Sequence, residues 1–174
     1  MRYFRCFDSP LGRMEAVSDG EALTGLRFLE EGEIPAASPR GAEKIFEAAG
    51  RWLERYFHGE IPDFLPPLQL SSLPFRREVG EIMLTIPYGT TVSYGEIARI
   101  IARRRHIPRM AAQAVGGAVG GNPIAVIVPC HRVVGARGAL TGYGGGMDRK
   151  IRLLRLEGLR IEGNSVIPGG DVQT

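Results

Sequence analysis

The chain has 174 residues, a formal net charge of +3, 44% hydrophobic and 24% charged side chains, which is ordinary for a soluble globular protein able to bury a core. Its apolar runs fall short of a membrane span, and Met1-Arg2-Tyr3-Phe4-Arg5-Cys6-Phe7 alternates like a strand without a signal-peptide core, so an intracellular, cytoplasmic protein is expected. Two cysteines, Cys6 and Cys130, are expected as free thiols; His58, His106 and His131 are scattered and no Cys-x-x-Cys occurs, which excludes a zinc site by spacing.

The charge is uneven. Residues 1–74 carry 8 basic and 12 acidic side chains, whereas residues 75–174 carry 14 basic and 7 acidic. A basic second half on an acidic first half points to a polyanionic partner facing that half.

In chain order, the first thirty residues read as short strands separated by turns at Asp8-Ser9-Pro10-Leu11-Gly12 and Ser18-Asp19-Gly20. Ser38 as N-cap and Pro39 as the first helical residue predict a helix buried through Ala42, Ile45, Phe46, Ala49, Trp52, Leu53 and Tyr56. The proline-rich stretch Ile61 to Ser72 ends this unit, so the expected division is a domain over 1–65, a linker over 66–72 and a second domain over 73–174. A helix from Phe75 to Ile86 follows, buried through Val79, Ile82, Met83 and Ile86 and stopped by Pro87-Tyr88-Gly89. Ser93-Tyr94-Gly95-Glu96 is a capping box opening a helix to about Ala102. The basic connector Arg103-Arg104-Arg105-His106 then leads past Pro108 to a helix over about 109–119, and the pair suggests a helix-turn-helix.

On that last helix Ala111, Ala112, Ala114, Gly116, Gly117 and Ala118 leave little bulk. Such a surface suits tight helix packing, or a close approach to the minor groove of a nucleic acid, only about 6 Å wide. Ile124 to Val128 reads as an extended apolar run, and Pro129-Cys130-His131-Arg132 follows it. Cysteine attacks as thiolate, and an adjacent histidine can take its proton. By itself such a dipeptide usually marks a buried cysteine beside an unrelated histidine. Gly142-Tyr143-Gly144-Gly145-Gly146 precedes a helix near Asp148 but lacks the strand–GxGxxG–helix setting or a following Gly-Lys-Ser/Thr, so a loop folding over a planar base fits better than a nucleotide-phosphate loop. The tail from Leu159 reads as a hairpin about Gly163-Asn164 that frays toward Thr174.

Taken together, Val92-Ser93-Tyr94-Gly95-Glu96-Ile97-Ala98, the glycines from Val115 to Pro123, Pro129-Cys130-His131-Arg132-Val133, Thr141 to Gly146 and Leu153 to Gly158 resemble the O6-alkylguanine-DNA alkyltransferase family. The resemblance is strong over 73–160 and weaker over 1–65. It implies an α/β N-terminal domain, a small antiparallel sheet plus helix, followed by a mainly α domain with a helix-turn-helix. It also implies a monomer without cofactor whose partner is duplex DNA containing O6-alkylguanine, with O4-alkylthymine as a second substrate. The alkyl group would pass irreversibly to Cys130 after minor-groove binding and base flipping. His131 would take the thiol proton through a water, and Glu157 would orient His131. Tyr94 would donate to the flipped base, Asn122 would brace the cysteine turn, and the carbonyls of Cys130 and Val133 would accept from the exocyclic amine. Backbone at Tyr143 and Gly144 would contact O6, with Lys150 close by and Arg132 bracing the turn. Arg103, Arg104, Arg105, Arg109, Ala111, Ala112, Gln113 and Gly116 would face DNA.

Two departures stand out. Gln113 occupies the place of the family's intruding arginine, and Gly144 that of a frequent serine. Gln113 sustains an alternative, a lesion-binding relative with weak or no transfer. A Cys-His hydrolase would need an oxyanion-hole motif and an ordering Asn or Asp, neither of which the sequence offers.

Overall fold

A computed structural model describes residues 1–168; the expected fraying toward Thr174 lies outside the described residues. The chain forms two compact units, 1–71 with 123–127, and 72–122 with the chain from 128 onward. Segment 123–127, placed by sequence in the second domain, therefore belongs to the first unit.

In the first unit, β1 (Tyr3–Phe7), β2 (Met14–Ser18) and β3 (Leu23–Phe28) form an antiparallel meander in sequential order. The turns are those expected: the Ser9 hydroxyl donates to the Gly12 carbonyl, and Asp19 Oδ1 accepts from the backbone of Glu21 and Ala22. Helix α1 (Glu43–Phe57) packs on β2 and β3 and buries Ile45, Phe46, Ala49, Trp52, Leu53 and Tyr56 as the spacing required, whereas Ala42, expected in the same stripe, lies before the helix and is only half-buried. Its start differs. Ser38 does not cap it; its hydroxyl accepts from the Phe4 backbone N–H at 2.8 Å, an edge donor of β1. The helix begins four residues later, after Ala42 in a left-handed conformation and Gly41, where a Cβ would overlap the Tyr3 ring.

The expected linker is docked. Leu23 donates to the Pro67 carbonyl at 2.7 Å and accepts from Gln69 at 2.9 Å. Segment 123–127 bonds Leu26 through the Pro123 carbonyl and the Ala125 N–H, both at 2.9 Å. The run Ile124 to Val128 is not a strand: only Ile124 bridges, and the Ile127 N–H bonds the Ala125 carbonyl across a γ-turn with Val126 at φ 68°. That conformation is strained for a β-branched residue. Val126 is fully buried, so side-chain packing holds what local preference opposes.

The second unit comprises α2 (Pro74–Leu84), β4 (Val92–Ser93), α3 (Tyr94–Arg104), α4 (Ala112–Gly120), β5 (Val133–Val134), α5 (Met147–Leu156) and the hairpin β6 (Arg160–Glu162) to β7 (Ser165–Ile167). The capping box at Ser93 and Glu96 is present in both directions. Helix α4 starts three residues later than expected. His106 adopts φ 53° and Ala111 is extended, so Arg109 lies in the connector, not one helical turn before Gln113. Val134, Leu154 and Val166 form a small core under the C-terminal hairpin. Among the described residues no helix is long and apolar enough to cross a membrane.

Candidate active site

Strands β4 and β5 pair in parallel, Val92 with Val133 and Ser93 with Val134, which sets Tyr94, the first residue of α3, in the same structural element as the chain leaving Cys130. Cys130 opens a short 3-10 turn through Arg132, and its N–H bonds the Val128 carbonyl at 2.8 Å around Pro129 (φ −81°, ψ 63°). This is an inverse γ-turn, whose φ the proline ring pre-sets. Asn122 Nδ2 donates to the same Val128 carbonyl at 3.0 Å. The turn is thus clasped from both sides immediately before the thiol.

His131 is fully buried, and its Nε2 lies 2.6 Å from Glu157 Oε2. Glu157, just past the end of α5, accepts three further bonds: from Arg132 Nε at 2.7 Å, Arg132 Nη2 at 3.2 Å and the Gly89 backbone N–H at 2.9 Å. Arg132 also donates to the Ile86 carbonyl at 2.8 Å and lies over the Tyr88 ring. A fork-shaped guanidinium matches a carboxylate in two bonds. The single carboxylate therefore ties together the cysteine turn, the loop that follows α2 and the end of α5.

The electrostatics follow from burial and these partners. Burial opposes the charge on Glu157, but the hydrogen bonds from His131 and Arg132 and the guanidinium charge outweigh it and hold the carboxyl at about 2. Burial pushes His131 below its ordinary value against the pull of Glu157. Near neutral pH the ring is then uncharged, donates Nε2–H to the carboxylate and presents Nδ1 as its acceptor. Burial raises the Cys130 thiol, while Asn122, Lys150 and nearby backbone N–H groups favour the thiolate. The arrangement stores a protonated thiol beside a neutral base, the resting state a general-base mechanism requires.

Lys150 is 1% exposed and donates to the carbonyls of Val133 at 2.7 Å and Thr141 at 3.2 Å; burial lowers its pKa to about 8. The Thr141 hydroxyl donates to the Tyr94 hydroxyl at 3.1 Å. The Tyr143 hydroxyl is buried with no hydrogen-bond partner among the described residues. Gly144 is exposed, and a Cβ there would meet nothing within 4 Å.

Ala111, Ala112 and Gln113 are exposed at the start of α4, and Gly116 faces the Tyr94 ring, 3.9 Å from where a Cβ would stand. Arg103 and Arg104, expected in the connector, form the exposed last turn of α3, and Arg109 is exposed in the connector. Arg105 is engaged elsewhere: it pairs with Glu78 at 2.7 Å and covers the Phe75 ring. Sequence reasoning missed Gly89, Thr141 and the grip of Arg132 on Glu157. Pro87-Tyr88-Gly89 reads merely as a helix stop, Thr141 only as part of the glycine-run motif, and Arg132 only as a brace of the turn.

A buried thiol, the imidazole next to it in sequence and a carboxylate bonded to that imidazole are the groups a single-cysteine transfer site would use. Residues 74–159 match the DNA-binding domain of 6-O-methylguanine DNA methyltransferase, and residues 2–70 match its ribonuclease-like domain. The chain belongs to the O6-methylguanine DNA methyltransferase family. The methylated-DNA--protein-cysteine methyltransferase of Mycobacterium tuberculosis strain H37Rv is 47% identical over 90% of this chain and 93% of its own. That of Methanosarcina acetivorans is 42% identical over 90% and 98%. The crystal structure of the M. tuberculosis O6-methylguanine methyltransferase matches with a TM-score of 0.76 over 90% of this chain and 93% of that one. A structure of the M. tuberculosis protein in complex with DNA matches with the same score over 88% and 91% at 47% identity.

Proposed function

We propose that this protein repairs duplex DNA by moving the alkyl group of O6-alkylguanine onto Cys130, once per molecule. The observation that carries the reading is the buried His131–Glu157 contact of 2.6 Å next in sequence to a buried thiol. His131 takes the thiol proton through a water. The sulfur bonds the alkyl carbon as the carbon–O6 bond breaks, and guanine leaves with the electron pair, taking a proton assisted by the Tyr94 hydroxyl. The thioether has no ready leaving group, so the thiol does not return. O4-alkylthymine presents the same ether-like carbon and is a second substrate in this reading.

The reacting carbon is inaccessible inside a stacked duplex, so the base rotates out, at a cost of about a few kcal/mol. The small exposed residues at the start of α4 suit the minor groove, and Arg103, Arg104 and Arg109 suit phosphates. The carbonyls of Cys130 and Val133 and the backbone of Tyr143 and Gly144 border the base. Lys150 orders this rim through Val133 and Thr141. Asn122 and Arg132 position the turn and do not touch substrate.

Incubation with duplex carrying O6-methylguanine is expected to leave the Cys130 peptide one methyl heavier by mass spectrometry, at one methyl per protein. Cys130→Ala is expected to carry none. An unmodified wild-type peptide beside a persisting lesion overturns the reading.

The exposed Gln113 favours the alternative, recognition with weak transfer, because an uncharged amide lacks the cation's attraction to phosphates and bases. Gln113→Arg is expected to raise the single-turnover rate on duplex several-fold while leaving transfer from free O6-methylguanine base unchanged. A duplex rate that stays the same or falls contradicts this.

A further inference from the structure

A cavity of about 1160 Å³ in the second unit is lined by Tyr94 and Arg99 of α3, Ala112 of α4 and Arg137 of the turn at 136–138, with Val134 and Val166 among its apolar walls. It is larger than the usual small-molecule pocket of about 300–1,000 Å³, which suits a length of polymer better than a compact ligand. Its acid, Glu96, is already held by the Ser93 N–H in the capping box. The Arg99 guanidinium lies over the first turn of α3, with Nη1 3.9 Å from where a Cβ on Gly95 would stand. Arg105, Arg132 and Arg160 of the same unit each hold a carboxylate. Among the described residues neither Arg99 nor Arg137 does.

Arg137 is the more telling of the two. It sits at φ 58°, ψ 29°, a left-handed conformation that asparagine or glycine adopts more readily. The turn that carries it is pinned: the Gly135 N–H bonds the Ala139 carbonyl at 2.8 Å, the Leu140 N–H bonds the Asn164 carbonyl at 2.7 Å, and Ala139 pairs with Ser165. At Gly138 any Cβ would strike the Val166 carbonyl. Nothing in the turn calls for a long cation at its crest. The cavity beneath it does, because unpaired arginines on a trough are the groups that bind phosphodiesters.

We propose that Arg99 and Arg137 form a phosphate clamp, beside Tyr94, on the DNA strand that carries the damaged nucleotide. The inference rests on the repair reading above and deepens it. Holding the backbone while the base rotates supplies cationic attraction that Gln113 does not. The contacts go to phosphates alone and are indifferent to sequence.

The test is fluorescence anisotropy of undamaged duplex across a salt series, with wild type, Arg99→Gln, Arg137→Gly, the double variant, and Arg155→Gln on α5 as control. Each clamp variant is expected to weaken binding by about three- to tenfold near physiological salt and to reduce the slope of log K against log salt by about 1. The double variant is expected to lose about 2 from that slope. Arg137→Gly is expected to keep or raise the melting temperature, since glycine accepts the backbone conformation without strain, so weaker binding will not reflect unfolding. All variants are expected to accept methyl from free O6-methylguanine base at the wild-type rate. Clamp variants whose affinity and slope match those of Arg155→Gln overturn the proposal. A wild type that accepts no methyl from either base or duplex overturns the repair reading instead, and the salt slopes still decide the clamp.

Discussion

Glu157→Gln is expected to slow methyl transfer by about 10²- to 10⁴-fold, the range of losses when a base or its orienting acid is removed. The reason lies in the imidazole tautomer. Ionised Glu157 accepts from His131 Nε2 at 2.6 Å, which leaves Nδ1 as the ring's acceptor. A glutamine amide that donates to Nε2 drives the proton to Nδ1 and removes the base. The same change leaves the Arg132 guanidinium, whose side chain is 10% exposed, without its counter-charge. Breaking a buried pair from one side costs about 3–5 kcal/mol, so the denaturation midpoint is expected to fall as well. Single-turnover kinetics on damaged duplex and urea melts read the two effects separately, and a rate within threefold of wild type would remove Glu157 from the mechanism.

Acid is expected to act on the same pair. Glu157 sits at about 2 in the folded protein against an ordinary 4.5, so its stabilisation is present above about pH 4.5 and is lost as pH falls toward 2. His131 is held below its ordinary 6.5 by burial, so the unfolded chain binds the proton first and stability also drops as pH falls below that value. Both shifts have the same sign.

Arg132→Met is expected to change the pH dependence of transfer more than its rate at alkaline pH. The groups facing His131 are Cys130 before it, Arg132 after it, Glu157 and Lys150. Arg132 and Lys150 disfavour the imidazolium, and Arg132 also shares the Glu157 carboxylate. Without the guanidinium, the Glu157 charge is shared only with the Gly89 N–H, acts more strongly on His131 and holds its proton to higher pH. On acidification the variant is therefore expected to lose activity at a higher pH than wild type does, and Arg132→Lys is expected to restore part of the wild-type profile by returning the charge without the fork. A stability loss of about 3–5 kcal/mol accompanies the methionine variant. Overlapping pH profiles for wild type and Arg132→Met would show that Arg132 only braces the turn.

What the sequence determined by itself was local. The stripe of α1 from Ile45 to Tyr56, the Ser93–Glu96 capping box, the turns of the first sheet and the hairpin about Gly163-Asn164 depend on neighbours within a few residues, and each formed as its spacing required. The Cys130-His131 pair was legible for the same reason. Tertiary structure decided wherever a distant donor or a packed side chain overrode local preference. Ser38 serves the β1 edge in place of a helix end, and Val126 turns through a conformation its branched side chain disfavours because both partners and packing lie far along the chain. The joining of Gly89, His131 and Arg132 at one carboxylate spans 68, 26 and 25 residues. No pattern of short period encodes such a meeting. Only the folded chain brings those donors within hydrogen-bond reach, where burial makes leaving any of them unmatched too costly.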